Sequence, residues 1–117
     1  MDSILNSIKI MLGIEPDYTH FDQTLIMFIN TVFGILYQLG VGPRNAPFKI
    51  SDSSEEWSEF MVGDQIDTVK SYIFAKVKLL FDPPTSSFVL ASYQDLIKEF
   101  EWRCHVDAET PAPYIGE

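Results

Sequence analysis

Apolar positions recur at helical spacing in four stretches of the chain. The first runs from about Asp2 to Leu12, where Ile4, Ile8, Met11 and Leu12 share a face with Leu5 beside them. Gly13 is placed to end this helix and Pro16 cannot continue it. The second helix is capped by Thr19 or Asp22 and continues to about Leu39. Its wide apolar face is Phe21, Leu25, Phe28, Ile29, Val32, Phe33, Leu36 and Leu39, and Gly40 with Gly42-Pro43 breaks it. The third starts at about Asp64, with Ile66, Val69, Ile73, Val77 and Leu80 on one side and Tyr72 and Phe74 flanking them. Asp82-Pro83-Pro84 stops it, because successive prolines remove two backbone donors. Thr85 or Ser86 caps the fourth helix, whose face is Val89, Tyr93, Leu96, Ile97, Phe100 and Cys104.

Between the second and third helices, residues 41 to 63 lose this period. Pro43, Pro47 and the Phe48-Lys49-Ile50 alternation predict an extended connector with room for a very short strand. Ser53 or Ser54 then caps a single helical turn through Trp57 and Phe60, with Glu55 and Glu56 near its positive end. A connector this long is unusual in a compact domain and points to function. After Val106 the chain turns into a tail, 107–117, with Pro111 and Pro113 and no periodicity. The predicted fold is therefore all-α: a small helical bundle of three main helices plus a short N-terminal one. A helical domain over 1–106 carries the long irregular connector, and an extended C-terminal tail follows it.

Composition narrows the reading. A chain of 117 residues fits one domain. With 46% apolar and 21% charged residues it has enough core to fold without staples. Seventeen acids against eight bases give a formal charge of −9, which argues against holding nucleic acid by neutralising phosphates. The lone Cys104 can form no internal disulfide and no cysteine metal cluster, in keeping with a reduced, intracellular location. The N-terminal apolar run is cut by Asn6, Ser7 and Lys9 and lacks the charged start of a secretory signal. The stretch Gln23 to Pro43 carries no charge and is long enough to span a bilayer. Against spanning, Asn30, Gly34 and Gln38 make a weakly polar stripe with Thr31 beside it, and no Lys or Arg cluster flanks the stretch.

No assembled chemistry is evident. Cys104 and His105 are neighbours that a helix points about 100° apart, without a third orienting group. His20 reads as a residue at a helix start. Metal-ligand spacings, a glycine-rich phosphate loop and a nucleophile elbow are all missing from the sequence. An enzyme is the least favoured class, and no cofactor is implied. What stands out is surface. Asp52, Glu55, Glu56, Glu59, Asp64 and Asp67 fall within 51–67 without a Lys or Arg among them. They form either a solvated acidic face or a negative patch that repels DNA or attracts a basic partner. Trp57 and Phe60 lie inside this run, either as exposed interface anchors or packed down onto the bundle. Tyr114 and Ile115 make the tail apolar enough to dock in extended form, and fraying is the alternative.

Several segments resemble the head–tail connector (adaptor) proteins of long-tailed bacteriophages. They are Ile8-Lys-Ile-Met-Leu-Gly-Ile, Asp17-Tyr-Thr-His-Phe-Asp, Ile29-Asn-Thr-Val-Phe, Leu39-Gly-Val-Gly-Pro and Ile97-Lys-Glu-Phe-Glu-Trp-Arg. The most specific is the Phe81-Asp-Pro-Pro-Thr-Ser-Ser-Phe turn after Val69 to Leu80. Together they cover roughly positions 4 to 106. The resemblance implies a structural virion protein that forms a ring, twelve-fold when assembled, in the neck between portal and tail. Assembly would take place in the host cytoplasm. The ring would dock on the portal, lengthen the DNA channel and receive the next neck, stopper or tail-completion protein. DNA would pass through without sequence-specific binding, and no membrane is involved. It implies no catalytic residue, no cofactor and no metal.

On this reading Pro111, Pro113, Tyr114 and Ile115, with Trp57, are candidates for docking to the portal or a neighbour. Glu55, Glu56, Glu59 and Asp64 are candidates for channel-facing or inter-subunit charge. Lys70, Lys76 and Lys78 could answer them across a subunit boundary, or be ordinary exposed helix surface. The competing class is a small acidic helical regulator that binds a single host or phage protein.

Overall fold

The first helix begins where Ser3 accepts a hydrogen bond from the Asn6 N–H at 3.2 Å, which satisfies one of the free donors of the opening turn. The computed structural model describes residues 3–43 and 45–109, with side chains through Cys104. Five helices follow in order: α1 (Ile4–Met11), α2 (Asp22–Leu39), α3 (Trp57–Phe60), α4 (Ile66–Phe81) and α5 (Ser87–Glu109). Among the described residues the only non-helical pairing is a single antiparallel bridge between Ser3 and Glu56, so Phe48–Ile50 is extended but unpaired as a strand.

The core follows the apolar period. Leu25, Ile29, Val32, Phe33 and Leu36 of α2 are buried against Val69, Tyr72, Ile73 and Val77 of α4. Ile4, Leu5 and Ile8 of α1 close one side. α5 covers α4 more loosely: among its described side chains Ile97 is the only buried apolar one, and Tyr93 and Phe100 are half-buried. Tyr72 and Phe100 stack across the α4–α5 contact with ring centroids 4.4 Å apart. Val89 and Leu96, expected on the inner face of α5, stand at its exposed edge.

The connector is pinned to the bundle. Asn30 on α2 accepts from the Ile50 N–H (2.8 Å) and donates to the Ile50 carbonyl (3.0 Å), replacing both ladder bonds that a strand partner would give. Phe33, Phe48 and Phe60 form a triangle of rings with centroids 4.7 to 5.5 Å apart. Gly42 is held at φ +95°, and a Cβ there would come within 2.5 Å of the Phe60 ring, so both the turn and the close approach need glycine. Asn30 also accounts for part of the polar stripe on the uncharged stretch. Among the described residues no helix is long and apolar enough to cross a membrane.

Several helix ends differ from expectation. Phe21, not Thr19 or Asp22, occupies the N-cap of α2 without a side-chain bond, because Asp22 is drawn to Lys9. Glu56 rather than Ser53 or Ser54 precedes α3, and the Glu59 carboxylate accepts its N–H at 3.0 Å. α4 starts at Ile66, two residues after Asp64. α5 continues through Glu109 rather than ending at Val106, since nothing breaks a helix before Pro111. Residues 110–117, and with them Pro111, Pro113, Tyr114 and Ile115, lie outside the described residues.

Candidate interaction surfaces

The acidic run folds into a knot of local bonds. The Glu55 carboxylate accepts from the Ser51 N–H (3.0 Å), the Ser51 hydroxyl (2.9 Å) and the Asp52 N–H (3.2 Å). Asp52 in turn accepts from the Ser54 hydroxyl (2.6 Å) and N–H (2.7 Å). The Ser54 hydroxyl and amide bonds hold the Asp52 carboxyl below its ordinary range. At Glu55 partial burial pushes the other way, yet the bonds from Asp52 and Ser51 outweigh it and its carboxyl also titrates low. The two groups therefore stay ionised to lower pH than free carboxylates. The Glu55 carbonyl accepts the Ile4 N–H at 3.0 Å, which ties this charged turn to the start of α1. Glu56, Glu59 and Asp64 are exposed beside it.

Trp57 is buried at 3% exposure, so of the two readings it takes the one that packs onto the bundle. Its indole N–H donates to the Ser7 hydroxyl at 3.1 Å, and the Lys70 Nζ lies 5.2 Å from its ring centroid. Trp57 is thus no surface anchor in the subunit; it holds the acidic turn against α1 and α4. Each of the three candidate lysines has a partner within its own subunit. Lys70 sits over Trp57, Lys76 lies 3.7 Å from Glu101, and Lys78 pairs with Asp82 at 3.1 Å.

Between α4 and α5 the Tyr72 hydroxyl donates to Glu101 at 2.6 Å. Burial first, then the bond to Glu101 and its charge, push this hydroxyl well above the ordinary tyrosine value of 10.0. The folded protein therefore keeps a proton that an unfolded chain releases above pH 10, and the Tyr72 contribution to stability falls as pH rises past that point. Tyr72→Phe is expected to cost about 1–2 kcal/mol at neutral pH. The gap between wild type and variant should narrow above about pH 10, read by urea unfolding at several pH values. A gap constant to pH 11 would contradict the assignment.

An open groove of about 440 Å³ runs beside this pair, lined by Thr68, Ser71, Leu96, Glu99, Phe100 and Arg103. The one carboxylate of the lining, Glu99, is paired with Arg103 at 2.6 Å. Among the described residues no group of His, Cys, Asp and Glu could hold a metal ion.

The arrangement is one of surfaces: an acidic turn held against α1 and α4 by the buried Trp57, and a largely exposed α5. A family model described as phage connector protein matches residues 4–111. The chain belongs to the phage connector protein family. The match takes in all five helices, the connector and the Asp82-Pro83-Pro84 turn. Searches of curated proteins and of solved structures returned no match. Connector membership makes this a structural component of a bacteriophage, which is the role that an all-α subunit built from surfaces serves. Sequence reasoning missed Asn30 as the clamp of the connector, the Lys9–Asp22 pair and the Tyr72–Glu101 bond. Only Asn30 left a signal, as a polar residue on an otherwise apolar helix.

Proposed function

We propose that this connector assembles as a closed ring between the portal and the tail, extends the DNA channel and presents a platform for the next neck or tail-completion protein. The observation that carries the reading is the family match over residues 4–111. The physical properties of the subunit support it. Phe88 and Trp102 are exposed at 80% and 64% and are available for contact with a neighbour. Head-to-tail contacts that close generate rings, and the −9 charge suits a channel through which DNA slides without sticking. On this reading Glu55, Glu56, Glu59 and Asp64 face the lumen or a neighbour, and Pro111, Pro113, Tyr114 and Ile115 grip the portal or the next subunit. The protein makes and breaks no bond, and its place is the neck of the virion after assembly in the host cytoplasm.

The test is sedimentation of the purified protein with and without its portal. A connector co-sediments with the portal in a multiple of subunits, twelve for the proposed ring. A protein that remains monomeric and never travels with the portal is not this adaptor.

A further inference from the structure

The outer side of α2 is exposed and has no charge. Gln23, Thr24, Met27, Thr31 and Gln38 face solvent there, with Gly34 and Ile35 partly covered. Residues 23–43 contain no Asp, Glu, Lys, Arg or His, in a chain of which 21% is Asp, Glu, Lys or Arg. Burial of the inner face accounts for Leu25, Ile29 and Leu36 but not for the missing charge on the outer one, since a solvated helix face normally carries it. The Thr31 hydroxyl donates to the Met27 carbonyl at 2.9 Å, so this face is already partly satisfied and cheap to dry.

Charge decides what covers it. A basic partner gains nothing from a neutral face and is drawn to the acids of 51–67 instead. A second copy of this chain brings its own −9 and is repelled wherever charged faces meet. The neutral face is where two copies approach without that penalty. A ring needs two different faces, and the largest exposed apolar side chains are on α5. Phe88 and Trp102 lie fourteen positions apart, near one side of that helix and about 21 Å from each other, with the exposed Asp95 and the Arg103-paired Glu99 between them, acids that an uncharged face of another copy meets without repulsion. Met27 to Gln38 spans a comparable length, about 16 Å. We propose that the outer face of α2 seats the Phe88–Trp102 side of α5 from a neighbouring copy. This rests on the ring reading and names its contact.

Gly34→Glu tests it, because a Cβ at Gly34 meets no atom within 4 Å and glutamate is a better helix former than glycine. Met27→Glu is a second variant at an exposed position, and Asn45→Glu adds the same charge off this face. Assembly is read by sedimentation, both free and with portal. Gly34→Glu and Met27→Glu should melt like wild type yet self-associate on the order of 100-fold more weakly, while Asn45→Glu assembles normally. A Phe88→Ser, Trp102→Ser double variant should also fail alone. Mixed with Gly34→Glu, it should form dimers and nothing larger, since one intact contact remains. A wild-type-like Gly34→Glu, or a mixture that stays monomeric, would sink the proposal and leave the ring standing. A wild-type protein that joins neither itself nor the portal would remove both.

Discussion

Trp57→Ala is expected to lower stability by about 3–5 kcal/mol, the range for emptying a large aromatic site in a packed core. For a domain of this size that is a fall of about 10–20 °C in melting temperature. The side chain bridges α3, α1 and α4: the indole donates to Ser7, and Lys70 covers the ring. Truncation leaves a cavity, a Ser7 hydroxyl without its donor and a cation without its face. Trp57→Phe keeps most of the volume and should cost about 1–2 kcal/mol, mainly the lost hydrogen bond and imperfect filling. Trp102 is exposed, so a Trp102→Phe background lets fluorescence report Trp57 alone. Its emission should be blue in the folded state and shift red through the urea transition. A loss under 1 kcal/mol for Trp57→Ala would mean that the acidic turn is held by other contacts.

The consequence reaches beyond the core. The Glu55 turn, its bond to Ile4 and the bridge between Ser3 and Glu56 form one unit with Trp57 at its base. Loosening the tryptophan frees the acidic surface that the proposed ring presents. Trp57→Ala should therefore raise amide exchange over 51–60 before it affects α4. Its assembly should weaken more than its residual fold would suggest.

These elements differ in how far the chain announces them. Leu25, Ile29, Val32 and Leu36 repeat at helical spacing because the helix they form buries one side, and Asp82-Pro83-Pro84 must end a helix in any context. Such features depend on neighbours a few residues away and are legible. Trp57 sits among acids, which reads as surface. What buries it is Ser7, fifty positions earlier, and no local pattern encodes that meeting. The caps of α2 and α3 differ for a similar reason: Asp22 is taken by Lys9, and α3 opens at Glu56, whose N–H is held by Glu59, instead of at a serine. On α5, Ile97 is buried while Val89 and Leu96 stay at the edge, because α4 covers only a narrow strip of that helix. A broad apolar face on the sequence thus overstated the contact within one subunit.

Lys9 misleads most, since a lysine in an apolar run reads as an interruption. Its side chain is 1% exposed, and its ammonium lies 2.7 Å from Asp22 and donates to the Pro16 carbonyl at 2.9 Å. One cation thereby ties the end of α1, the following loop and the first residue of α2. Removing one member of a buried ion pair leaves the other uncompensated, which costs about 3–5 kcal/mol when both are enclosed. Asp22 is 22% exposed and can recover some water, so Lys9→Met is expected to cost about 2–4 kcal/mol. Asp22→Leu should cost at least as much, because the fully enclosed lysine has less access to solvent than the carboxylate. In the Lys9→Met, Asp22→Leu double variant no charge is left without its partner. Its loss should then fall well short of the sum, with a coupling of about 1–3 kcal/mol in a urea-unfolding cycle. Because water and ions reach the pair poorly, that coupling should change little between low and high salt, unlike the exposed Arg103–Glu99 pair. Additive single losses, each under 1 kcal/mol, would show that the helices meet at this corner without the ion pair holding them.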